Sequence, residues 1–138
     1  MKPNEHEFKV MGLAPYAKEY YANESYEIFA STLNVSGLEF YYKEKIKDHF
    51  WYFKNKFESH RFDNIAFGLQ KFTESLLTKW VRNALKETKI KNVILSGGVA
   101  LNVKANKSIS ELKSINDFIV PPGPNDESLS VGACYQYI

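Results

Sequence analysis

The residues of this chain best equipped for chemistry are a glycine pair and a single acid, both toward its C-terminal end. Gly97 and Gly98 lie in the stretch Asn92-Val-Ile-Leu-Ser-Gly-Gly-Val-Ala-Leu-Asn102. Val93, Ile94 and Leu95 form the apolar run of a buried strand. Glycine has no Cβ, so the pair lets the backbone turn sharply and come close to a ligand. Helical spacing follows over residues 99–112. A strand that hands a glycine turn to a helix N-terminus presents free N–H groups at the positive end of a dipole, which suits phosphate. A bare Gly-Gly also fits a plain tight turn. Asp126 follows the loop Pro121-Pro-Gly-Pro124 at the carboxyl end of a second short apolar run, residues 117–120. Ligands of open α/β sheets collect at those ends, so Asp126 and Gly97/Gly98 are expected on the same side of the sheet. A carboxylate beside a phosphate site holds a divalent metal or a hydroxyl. Asp126 fits a helix cap equally well.

The elements that must position these groups follow from periodicity. Ile65, Leu69, Phe72, Leu76, Trp80 and Ala84 recur at three- and four-residue steps, so residues 61–89 are expected to form one long core-facing helix, with Asp63 capping its start. Strands are expected at Val93–Leu95 and near 118–120, and a last helix from Asn125-Asp126 through Tyr137. Residues 38–42, Leu-Glu-Phe-Tyr-Tyr, read as a further strand. The start of the chain holds Gly12 and Pro15, and Pro15 removes a donor and restricts Ala14. It reads as a loop running into a short helix near residues 16–23. Residues 43–60 are basic and aromatic with no clean period. Helix, strand, helix, strand, helix predicts parallel strands joined by right-handed crossovers.

Bulk properties narrow the function class. The 138 residues suffice for one domain with a real core. Lys+Arg total 18 and Asp+Glu 16, a net charge of +2 that gives no reason to expect nucleic acid or a membrane surface as partner. Aromatics alternate with cations over residues 41–62, a composition on which bases could stack. Glu44, Asp48 and Glu58 interrupt that run, which reads instead as a packed lobe or an interface. Cys134 is the one cysteine, which excludes an internal disulfide and fits a reducing compartment. On its predicted apolar helix face it reads as a core thiol. No apolar run approaches the ~20 residues of a spanning helix, and the first residues lack the apolar core of a signal peptide. A cytoplasmic protein is expected.

Several segments resemble one family. Glu7-Phe-Lys-Val-Met-Gly-Leu-Ala-Pro-Tyr16 is similar to the E-x-K-x-M-G-L-A-P-Y signature of the O-carbamoyltransferases of nodulation-factor and antibiotic biosynthesis. Ser96-Gly-Gly-Val-Ala-Leu-Asn102 resembles their S-G-G-V-A-L-N. The stretch from Pro121 to Ala133, with Asp126 and Gly132-Ala133, resembles their proline-containing loop, aspartate and terminal helix, with Ser128 where glycine is common. Asp63-Asn-Ile-Ala-Phe-Gly-Leu-Gln70 resembles the helix that precedes the glycine strand. The segments run in the family's order along nearly the whole chain.

The resemblance implies an α/β fold: a lobe of the actin-like ATPase and sugar-kinase (ribonuclease H-like) superfold, a mixed sheet flanked by helices. It implies that carbamoyl phosphate and ATP give a carbamoyl-adenylate, whose carbamoyl group passes to a hydroxyl of a sugar or antibiotic-like acceptor. On this basis Gly97 and Gly98 contact ATP, Asp126 is one ligand of a divalent metal, iron or magnesium, and Asn102, on the first helical turn, reaches the same ligand. Lys9 is placed to touch a phosphate or carbamoyl group, or else is solvated. The family's metal site also uses an H-x-x-x-H pair, a spacing that His6, His49 and His60 do not have. Residues 1–138 are therefore expected to be one partial domain, the C-terminal lobe of the nucleotide-binding domain, as an expressed fragment or a truncated gene product. It would lack the first lobe and the carbamoyl-phosphate domain, be inactive alone, and tend to self-associate. Two other functions fit the same segments: threonylcarbamoyl transfer to tRNA, which Met-Gly-Leu-Ala-Pro-Tyr16 disfavours, and a non-catalytic nucleotide-binding or interaction module.

Overall fold

The computed structural model describes residues 5–126 and 128–136. The order of elements is α1 (Glu7–Leu13), α2 (Glu19–Ala30), β1 (Leu33–Ser36), β2 (Glu39–Tyr42), α3 (His49–Lys56), α4 (Phe62–Thr88), β3 (Asn92–Ile94), α5 (Val103–Ser110), β4 (Asp117–Ile119) and α6 (Ser128–Tyr135). The fold is α/β. It holds an antiparallel hairpin β1–β2 and a parallel pair β3–β4.

The axle of the fold is α4, whose 27 residues span about 40 Å. It carries α1, α2, α5 and the hairpin on its sides. Contact on several sides explains a departure from the expected stripe. Buried positions include Ala66, Gly68, Gln70, Val81 and Leu85, while Leu69 of the expected stripe is exposed. Asp63 does not cap the helix. Arg61 is the N-cap residue, and Asp63 accepts two bonds from its guanidinium, at 2.8 and 3.1 Å. That bonded pair, with its charge, holds the Asp63 carboxyl below the usual carboxylate range and raises Arg61.

The two ends of α4 serve two cores. Its second half packs Val81 and Leu85 with Leu95, Ala100 and Ile109, and Val93 and Phe118 of the parallel pair lie against this cluster. Its first half meets an aromatic cluster in which Phe29 lies 4.8 Å from Phe57, 5.1 Å from Phe53 and 6.2 Å from Phe72, centroid to centroid. Phe53 and Phe57 come from α3 and its end, a helix that the unperiodic aromatic sequence did not announce. Asp48 caps it, its carboxylate accepting from the Trp51 N–H at 3.1 Å. The hairpin is clipped to α4 through its turn. Trp80 Nε1 donates to the Leu38 carbonyl at 3.0 Å and Asn83 Nδ2 to the Gly37 carbonyl at 2.8 Å.

The chain start is helical at Glu7–Leu13, where a loop was expected, and continues as a 3₁₀ turn over Ala14–Tyr16. Pro15 sits in the first turn of that 3₁₀ segment, where its missing donor costs nothing. Gly12 is accommodated inside a helix that leans on α4. The last helix matches expectation over Ser128–Tyr135; Tyr137 lies outside the described residues. It buries none of its side chains, and Cys134 is exposed, so the expected core thiol is not in a core.

Parallel strands are ordinarily covered on both faces. Here Val93 and Phe118 pair in register on the core side, whereas the paired Ile94 and Ile119 are 69% and 54% exposed. Leu129, Val131 and Tyr135 of α6 are exposed as well. Exposed apolar surface of this kind drives association. Sedimentation of the 138-residue chain should show self-association that rises with concentration and weakens in Ile94→Lys. A single monomeric species over the whole range would contradict this.

Candidate functional site: the glycine turn and the loop before Asp126

The glycine turn is built by the parallel pair. The Leu95 N–H extends the β3–β4 ladder by donating to the Ile119 carbonyl at 3.0 Å. The chains then separate into two loops, and a single carbonyl clasps them together. Pro124 O accepts from the Gly97 N–H at 2.6 Å and from the Ser96 hydroxyl at 2.9 Å. Gly97 adopts φ +105, a conformation that side-chain-bearing residues rarely take, so glycine is required there by geometry. Gly98 has no such constraint. Among the described residues a Cβ built on it, or on Gly97, meets nothing within 4 Å, so the space beside both glycines is open, while the Gly97 N–H and carbonyl are already bonded to Pro124 and Ala100.

The segment after the glycines departs from the expected helix over 99–112. Gly98–Leu101 is a 3₁₀ turn, Asn102 breaks it with φ −78 and ψ 91, and α5 starts only at Val103. The cause is the Asn102 side chain. Its Oδ1 accepts from the Ala105 N–H at 3.1 Å, which makes Asn102 the N-cap rather than a first-turn residue. The same amide forms a reciprocal pair with Gln70 of α4, each donating to the other at 3.0 Å. Gln70 also donates to Glu74 at 2.7 Å, and Glu74 accepts from Ser108 of α5 at 3.0 Å. This polar strip fixes α5, and with it the exit of the glycine turn, against α4. Gln70 and Glu74 were not expected as site residues. Gln70 and Asn102 are 32 residues apart, so no local spacing links them.

The structure thus brings Gly97, Gly98 and the loop carrying Asp126 together, with Asn102 just beyond. Asp126 is exposed, and its backbone carbonyl accepts from the Leu129 N–H at 3.2 Å in the turn that opens α6. Beside it, Asn125 Oδ1 is buried without a partner among the described residues, and so is Asn106 Oδ1 behind the glycine turn. Buried acceptors of this kind favour a donor nearby. Lys9 is exposed on α1, its ammonium 5.7 Å from the centre of the Phe8 ring, on a helix that packs against α4.

The arrangement offers open space beside a glycine turn closed by two strands, with the exposed Asp126 in the neighbouring loop. It does not offer a complete metal site. Among the described residues no group of three His, Cys, Asp or Glu could hold a cation. Among the described residues Asp126 would be a single ligand, and those residues by themselves do not fit a bound metal. No helix among the described residues is long and apolar enough to cross a membrane.

Residues 1–135 match the family described as the carbamoyltransferase N-terminus, and the chain belongs to that family. It is 31% identical over 139 residues to an uncharacterized protein of Methanocaldococcus jannaschii, covering 96% of this chain and 26% of that protein. It is 28% identical over 162 residues to an uncharacterized protein of Synechocystis, covering 99% of this chain and 25% of that one. A shorter likeness, 35% over 65 residues, is to nodulation protein U of Sinorhizobium fredii, covering 45% of this chain and 12% of that protein. The chain spans about a quarter of the length of the first two relatives. No solved structure matches it.

Proposed function

We propose that this chain is the second lobe of the actin-like nucleotide domain of an O-carbamoyltransferase, and that its glycine turn binds ATP. The whole protein would form a carbamoyl-adenylate from carbamoyl phosphate and ATP, then pass the carbamoyl group to a hydroxyl of a sugar or antibiotic-like acceptor. The observation that carries this reading is the clasp of Gly97 and Ser96 onto Pro124. It holds an open glycine backbone beside the loop of Asp126 at the carboxyl ends of two parallel strands, where α/β folds bind ligands. Membership of the carbamoyltransferase family supports the choice of chemistry.

Within that reading each residue has a definable task. The Gly98 backbone admits phosphate oxygens without a side chain in the way. Asn102 and Gln70 position the exit of the turn, so backbone donors stay aimed where charge gathers. Lys9 supplies a positive charge to a phosphate or carbamoyl oxygen. Asp126 contributes one carboxylate to a divalent cation, iron or magnesium, whose other ligands come from outside this chain. The lobe is inactive by itself.

Asp126→Asn in the full-length protein tests this reading. Asparagine caps a helix about as well as aspartate but lacks the charge a hard cation needs. Metal affinity is expected to fall by about 10–100-fold, as at other disturbed metal sites, and carbamoyl transfer to fall with it. Unchanged metal content and unchanged turnover would make Asp126 a cap and nothing more.

A further inference from the structure

The hairpin has one covered strand and one open edge. β1 lies against α2 and α4, while every residue of β2 is exposed. Among the described residues this sheet stops at β2. The register pairs Leu33 with Tyr42, Asn34 with Tyr41, Val35 with Phe40 and Ser36 with Glu39. The Lys43 N–H continues the ladder inward, donating to the Thr32 carbonyl at 2.8 Å. Along an antiparallel strand the backbone groups of successive residues point alternately to one neighbour and the other. Glu39, Tyr41 and Lys43 therefore turn theirs toward β1, and Phe40 and Tyr42 turn theirs outward. Those outward N–H and C=O groups have no strand to receive them among the described residues. An edge of this kind is a template for another strand. No proline blunts it, and both outward residues are aromatic.

The side chains select which strand fits. The segment reads Glu39-Phe-Tyr-Tyr-Lys43, an acid at one end, a base at the other and Tyr41 at the centre. When it is laid antiparallel on a second copy about Tyr41, Phe40 stands opposite the partner's Tyr42, and Tyr42 opposite the partner's Phe40. These are the residues whose backbone groups point outward, so their N–H and C=O groups bond across the pair. The same register sets Glu39 opposite the partner's Lys43 at both ends, and opposite charges directly across an antiparallel pair are favourable. A slip of one residue would set outward groups against inward ones. Hydrogen bonding and charge therefore choose the same register. Glu39 holds no ion pair among the described residues. The Lys43 ammonium donates to the Ala30 carbonyl at 2.8 Å, an exposed bond that leaves it further donors.

We propose that β2 is the docking edge for a second copy of this chain, the two hairpins joining antiparallel through residues 39–43 into one continuous sheet about a two-fold axis. The surface is separate from the exposed face of Ile94 and Ile119 and from the glycine turn, and the proposal does not depend on the carbamoyltransferase reading. The test is sedimentation equilibrium in the Ile94→Lys background, where association through the parallel pair is suppressed. That protein should form a dimer. Glu39→Lys and Lys43→Glu, each alone, set like charges opposite one another at both ends and should raise the dissociation constant at least about tenfold. An equimolar mixture of the two variants should dimerise again, because one copy then carries both positive charges and the other both negative ones. Tyr41→Cys, with the exposed Cys134 changed to Ser, reads the register without altering charge. Residue 41 meets its own counterpart as a non-hydrogen-bonded pair, at a Cα separation of about 4.5 Å that a disulfide can span, so mild oxidation should give a covalent dimer. Circular dichroism establishes that each variant is folded, and the cysteine variant decides if a charge reversal unfolds the hairpin. A monomeric parent, folded single reversals that dimerise as the parent does, a mixture of folded reversals that stays monomeric, or a Tyr41→Cys protein that does not cross-link would each overturn the proposal. A monomeric parent would leave the edge to a strand of a different protein.

Discussion

In the full-length protein, Gly98→Val should lower ATP-dependent carbamoyl transfer by at least about a hundredfold while leaving the fold unchanged. The size follows from displacement: a ligand pushed about 1 Å from its reactive geometry loses about that much rate. The intact fold follows from two observations. Gly98 does not occupy the positive-φ region, and a Cβ there meets nothing within 4 Å. The new side chain therefore starts into open space, the space that the proposed phosphate site needs. Gly97 is the poorer probe, because its φ of +105 would strain any replacement and confuse a folding defect with a binding one. Circular dichroism and thermal melting establish that the variant is folded, and turnover with carbamoyl phosphate and ATP reads the effect. A folded Gly98→Val protein with full activity would remove the glycine turn from the nucleotide site.

The second large effect is purely structural. Gly68 sits where α4 crosses α2, and a Cβ there would come within 2.7 Å of the Ser25 carbonyl carbon, the Ser25 Cβ and the Tyr26 nitrogen. Two of these atoms are backbone, so no side-chain rotation relieves the clash and the helices must move apart. Gly68→Ala should cost about 3 kcal/mol, at the upper end for an overpacked core. That corresponds to a fall in Tm on the order of 10 °C. Alanine has the better helix propensity, worth about 1 kcal/mol in its favour, so helix propensity alone predicts the opposite sign. A melting temperature equal to or above that of the unchanged protein would contradict so close a crossing. The same crossing sets Ser25 against His60, so a displaced α2 should also disturb that contact.

Much of the architecture was legible where one face of an element meets one partner. The helix over residues 61–89 announced itself by its period and is found at Phe62–Thr88. The strands around Val93 and Phe118 announced themselves as short apolar runs and pair in parallel. Legibility failed where a local signal had two meanings. Gly12 and Pro15 read as breakers, yet α1 ends before the proline and the proline opens a 3₁₀ turn. The aromatics of α3 are consecutive rather than periodic, so they gave no helical face, although Asp48 in front of them was a usable cap signal. The placement of Gly97, Gly98 and Asp126 on one side of the sheet was legible because each follows its own strand in sequence, and the structure brings the two loops together. Gln70 and Glu74 were not legible. They are assembled by contacts such as Gln70 with Asn102, 32 residues apart, and only a folded chain brings those partners together.

The carbonyl of Pro124 gives the glycine turn a history in time as well as a place. Ser96 and Pro124 are 28 residues apart, and a clasp of that span forms only after the intervening chain has closed on itself. Closure is entropically costly until β3 and β4 lie side by side, so the open backbone at Gly98 comes into being with the parallel pair and not before. A nascent or partly unfolded chain consequently has no such turn to offer. Any ligand that rests on this turn also favours the closed loop, so occupancy and the completion of folding stabilise one another.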